Sequence, residues 1–207
     1  MAARGYVRKD EESGRYRMTT KLYALSGQVV ENLDLVQIAR APMEALSSQV
    51  HETVHLVIPE DTDIVYVHKV DVEQGAIRMF SRIGMRRPMY CTGVGKAMMA
   101  CMSDEEVDRI WDSSDIQAYT PHTIVTRERL HDVLEAVRRR DCAFDNEENE
   151  LGVRCIAAAI RDYTGKVCGA LSISAPLIRM SDSYLAQLQP ALLATRDRIA
   201  RDMGWNG

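Results

Sequence analysis

From Thr53 onward the apolar residues stop recurring every three or four positions and begin to alternate. Val54, Leu56 and Ile58 fall on one side of an extended chain, and Ile64, Tyr66 and His68 do the same after the turn Pro59-Glu60-Asp61. A period of two marks a half-buried strand, so this stretch predicts a β-hairpin. Upstream the period is helical. Thr20 caps a run through Leu22, Leu25, Val29 and Leu33, and a second run passes from Leu35 through Ile38, Met43, Leu46 and Val50, which predicts two helices, a linker and a scaffold. Downstream, a third strand is expected at 77–83, leading through Arg86-Arg87-Pro88 into the glycine-rich Cys91-Thr92-Gly93-Val94-Gly95-Lys96, with helix from Ala97. Ser103 and Glu106 have capping-box spacing and open a helix at 104–111. A further amphipathic helix at 126–140 precedes strands at 143–147, 153–160 and 167–173, and a long helix at 181–203, bent at Pro190, closes the chain. Helices at both ends of a mostly antiparallel sheet of about six strands make an α+β domain.

The 207 residues, 46% hydrophobic, suffice for one substantial core. No run approaches the roughly 20 apolar residues of a spanning helix, and the N-terminus lacks a signal-peptide apolar region, so a cytoplasmic protein is expected. Cys91, Cys101, Cys142, Cys155 and Cys168 are odd in number and contain no CxxC, which argues against a disulfide framework and a zinc ribbon. The net charge of −4 hides a basic start: Arg4, Arg8, Lys9, Arg15, Arg17 and Lys21 face only Asp10, Glu11 and Glu12. Such a start suits approach to a polyanion, or a solvated tail. It contains two short strands, 6–8 and 15–18, and since a lone hairpin is unstable, something upstream is expected to have packed on it.

His51-Glu52-Thr53-Val54-His55 matches the H-E-x-x-H zinc-protease pattern, but that pattern needs both imidazoles on one helix. Here it straddles a helix end and the alternating strand, so a metal is not expected. Gly93-Val94-Gly95-Lys96, between strand and helix, offers unpaired amides for a small anion, or a tight turn. It is neither a Walker A loop, which needs glycine at Tyr90 and a hydroxyl at Ala97, nor a dinucleotide fingerprint, which needs glycine at Met98. Asp145-Asn146-Glu147-Glu148-Asn149-Glu150 reads as a solvated edge or a source of site carboxylates. Ser172 and Ser174 share one face of an otherwise apolar strand, which suggests either a polar pocket or hydroxyls bonded to backbone. No GxSxG elbow accompanies them, so a serine triad is not expected.

The segments GYVRKDEESGRYRMTTKLYALSG, ETVHL, SRIGMRRPMYCTGVGKAMMA and DNEENELGVRCIAAAIRDYTGKVCGALSISAP, with the terminal helix, together closely resemble IclR-type bacterial transcription regulators over essentially the whole chain. Within that family the sequence is most similar to regulators of ketodeoxygluconate and related sugar-acid catabolism. The resemblance implies a GAF/profilin-like effector domain (35–207), a linker helix (20–34) and, at 1–19, the remnant wing of a winged helix-turn-helix whose recognition helix is not present. The family's effector contacts would fall on the amides of Gly93 and Val94, the side chains of Asp145, Cys155, Ser172 and Ser174, and apolar walls at Met79 and Val153. Cys155 would be a pocket wall rather than a nucleophile, and Arg87, where some relatives carry an apolar residue, would point either into the pocket or into solvent. No catalytic residue and no cofactor is implied. The expected partners are a small keto, hydroxy or sugar acid, further copies of the chain as dimers or tetramers, and operator DNA through the winged helix, with no membrane. Two other readings stay open: an enzyme acting on a small acid, and a free-standing GAF-like module.

Overall fold

A computed structural model describes residues 4–10, 13–71 and 80–205, with the side chains of residue 18 and residues 22–34 left aside. The chain divides into two compact units, Met1–Gln37 and Ile38–Gly207. In the first, β1 (Val7–Lys9) and β2 (Tyr16–Met18) pair antiparallel with Val7 opposite Met18. Gly14, at φ +66°, makes the turn. Thr19 ties the end of the hairpin back to its start, its amide to the Tyr6 carbonyl at 3.0 Å and its hydroxyl to the Gly5 carbonyl at 2.7 Å.

The two helices expected between residues 20 and 50 are one, α1 (Thr20–Val50), which contains Pro42. The apolar pattern changes phase between Leu33 and Leu35, but a phase change in side chains does not require the backbone to stop. In the second unit Ala39, Met43, Leu46 and Val50 form its buried stripe.

The second unit is built on a six-stranded sheet in the order β5-β4-β3-β8-β7-β6, every neighbouring pair antiparallel. The strands are β3 (Thr53–Glu60), β4 (Asp63–Val70), β5 (Arg86–Pro88), β6 (Ala143–Asn146), β7 (Val153–Arg161) and β8 (Val167–Pro176). Of the third strand expected at 77–83, residues 77–79 lie outside the described residues and residues 80–83 form loop and turn; the described strand that follows β4 is the three-residue β5. One face of the sheet carries Val57, Ala143, Ala157, Ala159 and Ala170, packed against α2 (Gly93–Met99), α3 (Asp104–Ser113) and α4 (Arg127–Arg140). Alanines there let the short α2 lie close to β7. α5 (Asp182–Asp202), capped by Ser181 and containing Pro190, lies against β7 and β8.

α3 starts at the cap the sequence predicts, where Ser103 and Glu106 complete a reciprocal capping box, and α4 starts one residue later than expected, because the Thr126 hydroxyl accepts from the Arg129 amide as its cap. α2 starts four residues earlier than expected because the Thr92 hydroxyl accepts from the Gly95 amide at 3.2 Å, which makes Gly93-Val94-Gly95 the first turn of the helix rather than a loop before it.

Candidate functional site

Register across the sheet gathers the polar residues. Thr53 lies opposite Ser174, Ser174 opposite Cys155, and Cys155 opposite Asp145, so one row crosses four strands. The adjacent row on the same face is His55, Ser172, Ala157 and Ala143. α2 begins directly above these rows: a Cβ on Gly93 would stand 2.7 Å from the Cys155 sulfur and 3.5 Å from the Ala157 Cβ. Between helix start and strands lies a cavity enclosing about 40 Å³, against the roughly 10–15 Å³ that one water requires. Cys155, Ser172, Ser174 and His55 are buried at its floor, and half-buried Arg87 and Met85 with exposed Phe80 form its outer side.

Gly93, Val94, Asp145, Val153, Cys155, Ser172 and Ser174, singled out from sequence, all line this cavity. Met79 lies outside the described residues. As the first residues of α2, Gly93 and Val94 have amides with no acceptor inside the helix. Asp145 accepts from the Glu148 amide at 2.8 Å. Burial nevertheless pushes its carboxyl up to about 7, the nearby Lys96 ammonium opposing the shift. Burial, with Asp145 adding, also pushes the Cys155 thiol well up, so it is no ready nucleophile.

Several lining residues escaped the sequence reading. Tyr66 sits edge-on to His55, ring centroids 5.2 Å apart. His55 joins the Ser174 hydroxyl (Nδ1, 3.3 Å) to the Ser81 hydroxyl (Nε2, 2.7 Å), and burial lowers its pKa to about 3, so the imidazole is neutral. Both residues sit in the alternating pattern of β3 and β4, whose period names the face but not what lies above it. Asn149 lines the cavity with its Oδ1 buried and without a protein partner. Arg87, whose direction the sequence left open, lines the cavity.

The loop after β6 is held from two sides. Lys96, fully buried on α2, pairs with Glu148. The hydroxyls of Thr120 and Thr123 donate to the carbonyls of Glu147 and Glu148, each at 2.6 Å. The acidic run 145–150 is therefore only in part a solvated edge, since Asp145 and Glu148 are buried.

The H-E-x-x-H residues do different work. α1 ends at Val50 and His51 has φ +55°, so His51 and His55 are not one helical turn apart. Glu52, buried, takes a bidentate pair of bonds from Arg179 at 2.8 and 2.7 Å.

Residues 27–201 match the family model for the bacterial transcriptional regulator IclR C-terminal domain, and the chain belongs to that family. It is therefore an effector-binding domain of the kind found in transcription regulators. The HTH-type transcriptional regulator KdgR of Escherichia coli is 38% identical over all of this chain and 78% of its own length, and the transcriptional repressor IclR of the same organism is 30% identical over 99% and 75%. Among solved structures, the C-terminal domain of E. coli KdgR (TM-score 0.76, 36% identity) covers 83% of this chain and is itself covered to 99%. Thermotoga maritima IclR (0.81, 29%) covers 99% and is covered to 82%. These relatives are named as regulators and repressors, not as enzymes. Among the described residues no helix is long and apolar enough to cross a membrane.

Proposed function

We propose that the cavity is the sensor of a cytoplasmic, ligand-gated transcription regulator and that its effector is a small keto, hydroxy or sugar acid. The observation that carries this is that Gly93 and Val94, the first residues of α2, line one cavity together with Asp145. Two amides at a helix start receive a carboxylate. A carboxyl titrating near 7 can stand beside that anion in its protonated form, and Ser172 and Ser174 take the keto or hydroxyl oxygens. Val153 and Cys155 are walls.

In this reading residues 1–19 supply the wing of a winged helix-turn-helix that reads operator DNA, and residues 20–34 are the linker. The effector domains, 35–207, assemble as dimers or tetramers. A ligand biases DNA binding only through unequal affinity for two arrangements of the assembly. A thermal-shift screen with pyruvate, glyoxylate and ketodeoxygluconate, repeated on Asp145→Ala and Ser172→Ala, tests the site. A dose-dependent rise in melting temperature that both substitutions remove is the expected result. No shift with any acid rejects the ligand class.

A further inference from the structure

Arg86 and Arg87 are consecutive on β5 and meet opposite fates. Arg86 donates from Nη1 to Glu60 at 2.7 Å and from Nε to Asp63 at 3.0 Å, so its charge is consumed by two carboxylates. Arg87 lies opposite Ile64 of the buried core and so turns to the face that carries the cavity. Its guanidinium donates only to the Arg86 carbonyl, Nη1 to O at 3.1 Å, and among the described residues no carboxylate lies within ion-pair distance of it. Of the other cations near the cavity, Lys96 is neutralised by Glu148, and Lys69 pairs with Asp71 at 2.9 Å and donates to the Ser81 carbonyl at 3.1 Å. Glu150, exposed, also borders the cavity but does not pair with Arg87. A half-buried guanidinium that faces no carboxylate, on the outer wall of the cavity, suits a planar anion. Asn149 adds a second requirement, since its buried, unpartnered Oδ1 needs a hydrogen-bond donor from whatever fills the space.

We infer that Arg87 determines the specificity of the site: the preferred ligand is a short diacid, one carboxylate of which sits on Arg87 while a hydroxyl reaches Asn149. This rests on the small-acid reading above and narrows it. A cavity that accepted only monoacids would gain nothing from an unpaired arginine in its wall, because a partly desolvated charge without a partner is a cost.

Isothermal titration of the intact chain at constant ionic strength tests it with two matched pairs, lactate against malate and gluconate against glucarate. The diacid of each pair should bind about ten-fold tighter, the scale of one charge-assisted bidentate contact. Arg87→Met should collapse that ratio to about three-fold or less, and Arg87→Lys should keep part of it because the charge remains while the fork is lost. Circular dichroism of both variants confirms that they fold. Equal binding of monoacid and diacid to the unsubstituted chain, or a diacid preference that survives Arg87→Met, overturns the inference while leaving the small-acid site in place. Binding of none of the four acids, together with a blank thermal-shift screen, removes both.

Discussion

Lys96 and Glu148, 52 residues apart in sequence, form an ion pair in the interior, with the lysine side chain fully shielded from solvent. The pair anchors the loop whose Glu148 amide donates to Asp145, so it fixes the site without touching the cavity floor. Removing one member leaves an uncompensated buried charge, which costs about 3–5 kcal/mol. Lys96→Met should therefore lower the unfolding free energy by that amount in urea titration. The double variant Lys96→Met/Glu148→Leu should recover much of the loss, since two apolar groups leave no orphaned charge. Additive losses would show no coupling between the two residues and would contradict the pairing described.

Asp145 and His55 pull stability in opposite directions as pH changes. The folded pKa of Asp145, about 7, is raised above its ordinary value, so its contribution is full below about 4 and is lost as pH rises through 7. His55, lowered to about 3, contributes fully above 6.5 and loses that contribution as pH falls. Between pH 6.5 and 5 the two slopes, each about 1.4 kcal/mol per pH unit, oppose each other. His55→Gln should therefore become more stable on acidification over this range, and Asp145→Asn less stable. Parallel pH profiles for the two variants would refute the assignment.

Ligand affinity should follow the protonation of Asp145. An acid bound as an anion prefers the neutral carboxyl, so above pH 7 its dissociation constant should rise by up to about ten-fold per unit. Asp145→Asn, which keeps an oxygen for the Glu148 amide, should bind with little pH dependence between 6 and 8. Calorimetry at three pH values is sufficient, and an unchanged slope in the variant would exclude Asp145 as the titrating group.

Two glycines of α2 differ sharply in what they tolerate. A Cβ on Gly95 would lie 2.3 Å from the Met89 carbonyl oxygen and 2.4 Å from its Cα, both backbone atoms. A Cβ on Gly93 meets chiefly the Cys155 sulfur, a side-chain atom. Gly95→Ala should cost about 3 kcal/mol or prevent folding, as forced overpacking does. Gly93→Ala should cost less and be partly relieved by Cys155→Ala, which urea titration of the single and double variants would measure. Equal losses for the two glycine substitutions would contradict the packing described.

Much of the sheet was legible because alternation is a local property. Val54, Leu56 and Ile58 define β3 by themselves, and Ser172 and Ser174 declare a shared face whatever lies across from them. The cap at Ser103 is legible for the same reason. β5 was not, since three residues containing two arginines and a proline show no period. The start of α2 was missed because glycine signals a turn by default, whereas Gly93 and Gly95 are there for close approach to Cys155 and Met89. Neither the partnership of Lys96 with Glu148 nor the gathering of Tyr66, Asn149 and Arg87 around the cavity leaves a local trace. These contacts depend on which strands become neighbours.

The strand order makes the C-terminal third of the chain decisive for assembly. β3 finds its central partner in β8, with Val54 opposite Ile173, so the two middle strands of the sheet are separated by more than half of the polypeptide. On a ribosome the β3–β4 hairpin would emerge early and wait with one hydrogen-bonding edge unsatisfied until residue 176 cleared the exit. Contacts that distant in sequence slow folding, and an uncovered strand edge invites association with other chains. Nascent chains of this protein should depend on chaperone protection until β8 has emerged.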